Sequence, residues 1–452
     1  MRRTALLIAA VGLPAFMVQL DNLVVTTAMP AIQSALGASI GELQWIADAY
    51  TLPFAALLLP AAALGDRWGR RAVFLAGIVV FVAASAACAL ATTAEALMAA
   101  RAVQGAGGAV VATLSLTLLV TSVPPGQRAV AIGVLSGVSG LGIAIGPVLG
   151  GVVVQSLHWT WIFWINVPVG VVAVVLARRL LAESHGPPVR LDPAGMLLLA
   201  AAIFALVWGV VQGPVHGWTS GRVLGAIGGG AVLAVLFTGW ELRARSPMLS
   251  VRLFRSRAFS LVNALAFTFN MGVFGSIFLL AQFFQVVQGH DPLQAGLRTL
   301  PCSLVPLVAG PISGLLVNRW GPVPLIVAGQ AMVAGALVWM AAVFAPDTPY
   351  PVLAPSFLLA GIGLGVSYPP ISTLAIDAAP PGVSGMAIGT NSTVRELGVA
   401  VGVAVLVSIF ASTGDYTRTA FVDGLNPALF SAAAIVAVGL GLAAFLPRRT
   451  AG

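Results

Sequence analysis

The chain is a succession of long apolar segments separated by short polar loops. Fourteen segments have about 20 residues or more, which is enough for a helix to cross the hydrocarbon core of a bilayer. The strands of a membrane barrel would instead alternate over about ten positions, and the sequence lacks that pattern. The predicted helices cover residues 5–29, 43–64, 72–92, 95–120, 128–154, 159–181, 193–213, 221–241, 258–287, 295–317, 323–344, 351–373, 384–411 and 427–446.

The composition agrees with this pattern. Of the 452 residues, 59% are hydrophobic and 8% are charged, and the mean hydropathy is +1.01. A soluble domain is about 25% charged. A soluble enzyme, a disordered chain and a secreted disulfide scaffold are therefore excluded. Cys88 and Cys302 lie in apolar segments and are interpreted as small hydrophobic residues.

The basic residues predict the orientation. All 22 are arginines. With the N-terminus in the cytoplasm, 17 arginines lie on the cytoplasmic side, three lie outside (Arg222, Arg298 and Arg418), and two lie within spans. This follows the positive-inside rule, and an even number of spans places both termini in the cytoplasm. Arginines spread over short loops indicate membrane topology rather than nucleic-acid binding.

An internal repeat relates two parts of the chain. The tripeptide at residues 67–69 recurs at residues 319–321, an offset of 252, and the same offset maps Gly146 and Gly150 onto Gly398 and Gly402. The two matches predict two six-helix halves, as in transporters whose halves rock about a central site. The seventh and eighth segments are then an inserted pair.

The loop after the second segment contains more than a topology anchor needs. Its glycines permit a tight turn, and its aspartate can face a helix N-terminus or an arginine across the bundle. A contact of this kind would hold one conformation and break in the other. A plain topology anchor is the alternative. The predicted latch residues are Gly65, Asp66, Arg67, Gly69, Arg70 and Arg71.

Five charged residues lie within predicted spans: Asp21, Asp48, Arg101, Arg395 and Glu396. A charge in the bilayer costs at least about 2.5–3.5 kcal/mol unless it is paired or faces water. Asp21, Asp48 and Arg101 have similar depths, so all three are predicted to meet in the outer half of one cavity. Of the adjacent pair Arg395 and Glu396, one is predicted to face the cavity and the other a neighbouring helix.

These charges suit proton coupling. A carboxyl group removed from water favours its neutral form and can exchange protons near neutral pH. The predicted proton-coupling residues are Asp21, Asp48, Arg101 and Glu396. Two alternatives stay open: structural hydrogen bonds for the carboxyl groups, and snorkelling of Arg101 to the outer headgroups.

The fifth span is rich in glycine at small-xxx-small spacing, which lets helices pack backbone to backbone, and its proline allows a bend. It is predicted to be a moving hinge, with a static packed helix as the alternative. The hinge residues are Gly142, Gly146, Pro147, Gly150 and Gly151.

Enzymatic and metal chemistry find no support in the sequence. His158, His185, His216 and His290 fall at or near loops and lack metal-ligand spacing. No nucleophile has a base near it in sequence. We therefore expect no catalytic residue, no metal and no cofactor.

Together the motifs resemble the major facilitator superfamily, and within it the fourteen-span drug:proton antiporters, over nearly the whole chain. Residues 65–71 are similar to the superfamily's signature loop, and residues 101–105 to the span-four motif whose arginine is implicated in proton transfer. Residues 142–151 resemble the antiporter motif, the most specific signal. Residues 391–398 resemble the span-thirteen segment, whose acidic residue would be Glu396.

Two features depart from the family pattern. Asn318 replaces the aspartate of the second-half loop, which would make a latch there weaker or uncharged. The loop between the last two spans covers only about residues 412–426, so any role of a long outer loop is absent.

The resemblance implies an all-α integral membrane protein. Its fourteen transmembrane helices would form two pseudo-symmetric six-helix bundles, residues 1–182 and 255–452, with residues 183–254 supplying two inserted helices and a linker. The protein would be a monomer in the cytoplasmic (inner) membrane, with both termini in the cytoplasm.

The implied function is proton-coupled export of lipophilic drugs or antibiotics by alternating access, driven by the proton gradient. The partners would be protons, a small lipophilic substrate and the bilayer, without nucleic acid. A uniporter or symporter of a small organic solute on the same fold is the alternative. The expected substrate cavity residues are Gln104, Phe267, Met271, Phe274, Asn391 and Arg395.

Overall fold

The structure is a computed structural model that describes residues 2–186, 192–244, 251–380, 384–415, 417–418 and 420–446. These residues are helical almost throughout, and they contain no strand. Of the arginines predicted to be cytoplasmic, Arg190, Arg245, Arg448 and Arg449 lie outside the described residues. So do the side chains of Arg2, Arg3, Arg252 and Pro147.

Fifteen α-helices are described. They are α1 (Arg2–Leu36), α2 (Ile40–Trp68), α3 (Arg70–Ala89), α4 (Ala94–Ser122), α5 (Arg128–Ser156), α6 (Trp161–Trp164), α7 (Asn166–Leu180), α8 (Pro193–His216), α9 (Gly221–Arg243), α10 (Arg257–Gln282), α11 (Pro292–Trp320), α12 (Pro322–Val343), α13 (Tyr350–Asp377), α14 (Ser384–Thr413) and α15 (Ala420–Ala443). Short 3₁₀ helices cover Pro125–Gln127 and Val251–Arg255, and a π-helix, Phe283–Val287, extends α10.

Each predicted span overlaps a helix, and the sixth is divided into α6 and α7. Thirteen helical segments of the described chain are long and apolar enough to cross a membrane. In α5, which has 29 residues, the residues with described side chains form an apolar segment, Arg128–Gly142. The prediction of a multi-pass helical protein is therefore confirmed.

Local chemistry determines where several helices begin and end. The Ser39 hydroxyl accepts from the Glu42 amide at 3.3 Å, while the Glu42 carboxylate accepts from the Ser39 amide at 2.7 Å, which caps α2 from both directions. Gly69 separates α2 from α3 with φ of 101°, and Gly321 ends α11 with φ of 77°. Glycine adopts these conformations without strain. The tripeptide that occurs twice in the sequence therefore ends a helix at both of its positions.

Two apolar cores fill the two parts of the chain. The first is formed by α1 to α5 and α7 and includes Phe74 and Phe81. The second is formed by α10 to α15 with the π-helix, and the rings of Phe283 and Phe344 stack there with centroids 4.8 Å apart.

The pair α8 and α9 contacts both parts. Ile203 and Val207 of α8 belong to one cluster with Leu52 of α2 and Leu397 of α14. Helix α8 therefore packs along the line where α2 and α14 meet.

On another face of the molecule, α5 and α11 approach backbone to backbone. A Cβ on Gly310 would lie 2.7 Å from the Gly133 carbonyl oxygen, and a Cβ on Gly137 would lie 2.7 Å from Leu307 Cα. Small residues allow this approach, and the contact joins the two parts of the chain.

Gly137→Ala tests this contact. The added methyl forces α5 and α11 apart, and overpacking typically costs about 1–3 kcal/mol. We expect a lower thermal unfolding midpoint for the detergent-purified protein, followed by tryptophan fluorescence. Gly335→Ala is the control, because nothing lies within 4 Å of a Cβ there. Equal midpoints for the two variants would contradict the close approach.

Candidate functional site

Three helices converge on the carboxyl group of Asp21, which is fully buried on α1. Arg101 of α4 donates from Nη1 to Asp21 Oδ2 at 2.5 Å and to Gln104 Oε1 at 2.8 Å. Gln104 Nε2 and, from α7, Asn166 Nδ2 donate to Asp21 Oδ1 at 2.8 and 2.7 Å. One carboxyl group thus ties α1 to both α4 and α7.

The network extends to neighbouring helices. Asn166 also donates to Ser85 Oγ at 3.0 Å, and the Arg101 guanidinium lies over the Tyr50 ring, with Cζ 4.2 Å from the centroid. Arg101 is 1% exposed. We call this group the Asp21 cluster: Asp21, Tyr50, Ser85, Arg101, Gln104 and Asn166.

The contacts to Asp21 are all N–H donors, which suit an ionised carboxylate. A neutral carboxyl would bring an O–H and would leave the Arg101 charge without its counter-charge. Breaking a buried ion pair in this way costs about 3–5 kcal/mol. The cluster is therefore complete with Asp21 ionised, and proton uptake would disrupt it.

Asp48 does not join this cluster, so the prediction that it meets Asp21 and Arg101 is wrong. It is 8% exposed on α2, and Gln212 Nε2 of α8 donates to its Oδ2 at 3.0 Å. Similar depth does not place residues on the same side of a helix. Tyr50, two positions later and about 200° around the helix, faces Arg101 instead.

A central cavity of about 170 Å³ lies between the two parts of the chain. Helices α1, α2, α4 and α5 line one side, and α10, α11, α13 and α14 line the other. The wall includes Phe54 and Leu58 of the first part and Phe274, Tyr368 and Glu396 of the second. A pocket between the two parts suits a binding site reached from either end.

Of the residues predicted to line the cavity, Phe274 and Arg395 do so. Gln104 belongs to the Asp21 cluster, and Asn391 donates to Asn263 Oδ1 at 3.1 Å. Phe267 and Met271 lie where α10 packs closely on Gly398 and Gly402 of α14. Neither residue is among those that line the cavity, and their role in substrate binding stays a prediction.

Arg395 and Glu396 both line the cavity, so the prediction that only one faces it is wrong. The face of α14 that lines the cavity includes both of these adjacent residues. The Arg395 guanidinium lies over the Tyr368 ring, with Cζ 4.8 Å from the centroid, and the Tyr368 hydroxyl donates to Asn270 Oδ1 at 2.8 Å. Within the described chain, no ion pair joins Arg395 to Glu396 at 4.0 Å or less.

The loop between α2 and α3 contacts the second part of the chain. Arg70 Nε donates to Asp66 Oδ1 at 2.7 Å. The same carboxylate faces the first turn of α14, where a Cβ on Gly385 would lie 2.6 Å from Oδ1. Helix N-termini favour negative charge. Asp66 therefore lies at a helix N-terminus of the other part of the chain, whereas its arginine partner, Arg70, is four residues away rather than across the bundle. Arg67 is exposed.

Glu183, which the sequence analysis missed, caps this loop. Its carboxylate accepts from the backbone amides of Arg71 and Ala72 at 2.9 and 3.0 Å, at the start of α3. Arg71 Nη1 donates to the Leu181 carbonyl at 3.1 Å. The segment after α7 thus holds the loop in place. A lone acidic residue beyond a span gives no sequence signal for this role.

The second-half loop makes a related but uncharged contact. Asn318 lies 252 positions after Asp66, and its Nδ2 donates to the Gly126 carbonyl at 3.1 Å, just before α5 begins. Each loop therefore reaches the start of a helix in the other part of the chain. The aspartate carboxylate is present in the first-half loop only, as the sequence predicts.

The glycine motif of α5 faces two neighbours. Gly142, Gly146 and Gly150 pack against α1, where a Cβ on Gly146 would lie 2.9 Å from Leu23 Cβ. Gly151 faces Leu293 of α11 instead. The side chain of Pro147 is outside the described residues. The motif therefore places the α1 helix, which carries Asp21, directly on α5.

Besides Glu183, five contributors to these sites were missed: Tyr50, Ser85, Asn166, Gln212 and Tyr368. Gln212 and Asn166 are polar residues in apolar segments, which is a signal that sequence reading could use. Ser85 and Tyr368 resemble many similar residues in the chain. Among the described residues, no group of three His, Cys, Asp or Glu side chains could hold a metal.

This fold and site define a membrane transporter with a central cavity. The family model of the Major Facilitator Superfamily matches residues 11–403, so the chain belongs to this superfamily of transporters. The human organic anion transporter MFSD10 has the same fold, with a TM-score of 0.70 over 97% of this chain and 99% of that one, at 16% identity.

Named relatives are resistance and export proteins. The chain is 35% identical to the tetracenomycin C resistance and export protein of Streptomyces glaucescens, over 90% of this chain and 76% of that one. It is 36% identical to the methylenomycin A resistance protein of Streptomyces coelicolor (90% and 86%). It is also 36% identical to the multidrug resistance protein Stp of Mycobacterium tuberculosis (91% and 77%).

Glu183→Ala tests the loop cap. Loss of the two hydrogen bonds to the backbone costs about 1 kcal/mol, the usual effect of a helix cap. We expect roughly fivefold faster amide hydrogen exchange at Arg71 and Ala72, measured by mass spectrometry. Glu95→Ala in the first turn of α4 is the control and should leave these amides unchanged. Unchanged exchange in Glu183→Ala would show that the cap does not hold α3.

Proposed function

We propose that this protein is a proton-driven antiporter that exports small lipophilic compounds, such as drugs or antibiotics, across the cytoplasmic membrane by alternating access. The resistance and export functions named for its relatives support the export of such compounds. The observation that carries proton coupling is the buried Asp21 cluster, which is complete with Asp21 ionised.

In this proposal the chain has fourteen spans, with both termini in the cytoplasm, and works as a monomer. Residues 1–182 and 255–452 form two six-helix bundles, and residues 183–254 supply the inserted pair. The glycine pairs 252 residues apart support this arrangement, because Gly146 packs on α1 and Gly398 packs on α10, the first helix of each bundle.

Coupling runs along α1. This helix carries Asp21, while its neighbours Val18 and Gln19 line the cavity. When a proton neutralises Asp21, Arg101 loses its counter-charge and the hydrogen bonds to the carboxyl group weaken, so α1 becomes free to shift on the glycine face of α5. The cavity wall then changes with the protonation of Asp21, so proton and substrate affect each other's binding.

The latch selects between conformations. Asp66 contacts both Arg70 and the start of α14, so it holds the two bundles together at this end. Opening this end requires these contacts to break. Inward movement of one positive charge down 100 mV supplies about 2.3 kcal/mol, which contributes to the cycle.

The residues of the cavity wall indicate which chemical groups the substrate has. Most of the wall is apolar, yet Ser136, Ser139 and Ser303 also face the cavity, and no hydrogen bond joins them to the described protein. Arg395 adds a cation whose aromatic partner, Tyr368, is already in place. Hydroxyl and carbonyl oxygens on an apolar ring system would satisfy these groups.

Asp21→Asn tests proton coupling. The variant keeps the shape of the side chain and removes the charge that binds Arg101. In a pump-deficient host, a drug-susceptibility panel should show resistance with the wild type and none with Asp21→Asn. Asp347→Asn, at an exposed carboxylate paired with Arg418, is the control. Identical profiles for wild type and Asp21→Asn would rule Asp21 out as the coupling residue.

The same proteins in inverted vesicles test the driving force. Collapse of the proton gradient with an ionophore should stop wild-type transport of each compound to which the panel shows resistance. Transport that continues without a gradient would contradict proton coupling and favour a uniporter.

Arg395→Gln tests the substrate chemistry. Charge-assisted hydrogen bonds contribute about 1.5–3 kcal/mol, so binding of 1,8-dihydroxyanthraquinone-3-carboxylate to purified protein should weaken tenfold or more in calorimetry. Arg298→Gln is the matched control, because its guanidinium also lies over a tyrosine ring, 5.2 Å from the Tyr350 centroid, but away from the cavity wall. Equal losses in both variants would refute the role of Arg395.

A further inference from the structure

The inserted pair makes a polar contact with a buried carboxyl group of the first bundle. Gln212 on α8 is 3% exposed and Asp48 on α2 is 8% exposed. The Gln212 amide nitrogen donates to Asp48 Oδ2 at 3.0 Å, while the Gln212 amide oxygen is buried without a hydrogen-bond partner. An amide with one unused oxygen beside a carboxyl group calls for an explanation, because such atoms are costly to bury.

An amide can serve both protonation states of a carboxyl group. Its N–H groups donate to an ionised carboxylate, and its oxygen accepts from a carboxylic O–H after the amide rotates. At Asp48, therefore, proton uptake exchanges one hydrogen bond for another. At Asp21 proton uptake also removes the counter-charge of the buried Arg101, so it breaks the ion pair that holds the cluster. The two carboxyl groups differ in what protonation does to their surroundings.

The surroundings of Asp48 leave Gln212 as its polar partner. Helices α1, α3, α4, α8 and α14 pack around α2. Asp21 of α1 and Arg101 of α4 bind each other, and Arg395 and Glu396 of α14 line the central cavity. Arg70 and Arg71 of α3 pair with Asp66 and Glu183. Glu95 of α4 and His216 of α8 are exposed. In the described part of the chain no ion pair within 4.0 Å involves Asp48, and its side-chain hydrogen bond comes from Gln212.

We propose that Gln212 is the positioning residue of a second proton site at Asp48, through which the inserted pair takes part in coupling. This inference rests on the proposed proton-driven function. Asp48 accepts and releases protons while hydrogen-bonded to α8, and Asp21 carries the step that moves α1.

The loop after α8 is anchored to the other bundle. Trp218 Nε1 donates to Ser408 Oγ of α14 at 2.7 Å. Helix α8 thus binds α2 through Gln212 and is followed by an attachment to α14. Relative movement of the two bundles therefore acts on the Gln212–Asp48 hydrogen bond, which links this proton site to the conformational change.

A change of side-chain length tests the contact. Gln212→Asn removes one methylene and takes the amide out of hydrogen-bond reach of Asp48. Asp48→Glu adds one methylene from the opposite side, so the double variant restores the reach. Gln330→Asn is the matched control, because Gln330 is a fully buried amide of α12 in the second core, remote from both carboxyl groups.

The first measurement is infrared difference spectroscopy of the full-length protein in liposomes, titrated with pH without gradient or substrate. The carboxylic C=O band that disappears in Asp48→Asn belongs to Asp48. We expect this band to shift to higher wavenumber in Gln212→Asn, to return towards the wild-type position in the double variant, and to stay unchanged in Gln330→Asn. An unchanged band in Gln212→Asn, or no Asp48 band at any pH, would overturn the proposal.

The second measurement is the pH profile of proton-driven efflux in inverted vesicles. The profile should move in Gln212→Asn and recover in the double variant. A spectral shift without a change in the pH profile would overturn the role in coupling. If no variant, including wild type, transports any compound under any gradient, the proposed function fails, and the infrared band still decides whether Gln212 positions Asp48.

Discussion

The ion pair between Asp21 and Arg101 is the interaction on which the rest of the structure depends. Both side chains are at most 1% exposed, in a molecule whose surroundings offer no water to replace a lost partner. The charges can be buried only because Gln104 and Asn166 satisfy the remaining acceptor positions of the carboxylate. One carboxyl group consequently sets the relative positions of α1, α4 and α7.

Helix α5 links this pair to the second bundle. One face of α5 carries the glycines that pack on α1, and another carries Gly133 and Gly137, which pack on α11. Close backbone contact on both faces lets a displacement of α1 reach α11 with few flexible side chains in between. The glycine content that made the fifth span conspicuous in the sequence is thus divided between two separate contacts.

The sequence predicts the helices well, because span length and apolar composition are properties of a local segment. It also predicts that Asp21 and Arg101 lie in one site and that Asp66 reaches a helix of the other part of the chain. It fails where rotation about a helix axis decides the outcome. Asp48 binds Gln212 of α8 rather than Arg101, and Phe267 and Met271 are not among the residues that line the cavity. Depth can be counted along the chain, but the direction of a side chain depends on how neighbouring helices pack.

The position of α8 affects access to the cavity from the lipid bilayer. Ile203 and Val207 cover the groove between α2 and α14, and the opposite groove is closed by the glycines of α5 and α11. Among the described residues, both contact lines between the two parts of the chain are therefore closed by side chains or by backbone. For a substrate of the proposed exporter, entry in this conformation would then lead through the ends of the bundle. The aqueous concentration next to the membrane, and not the larger amount stored in the lipid, would set how fast the cavity fills.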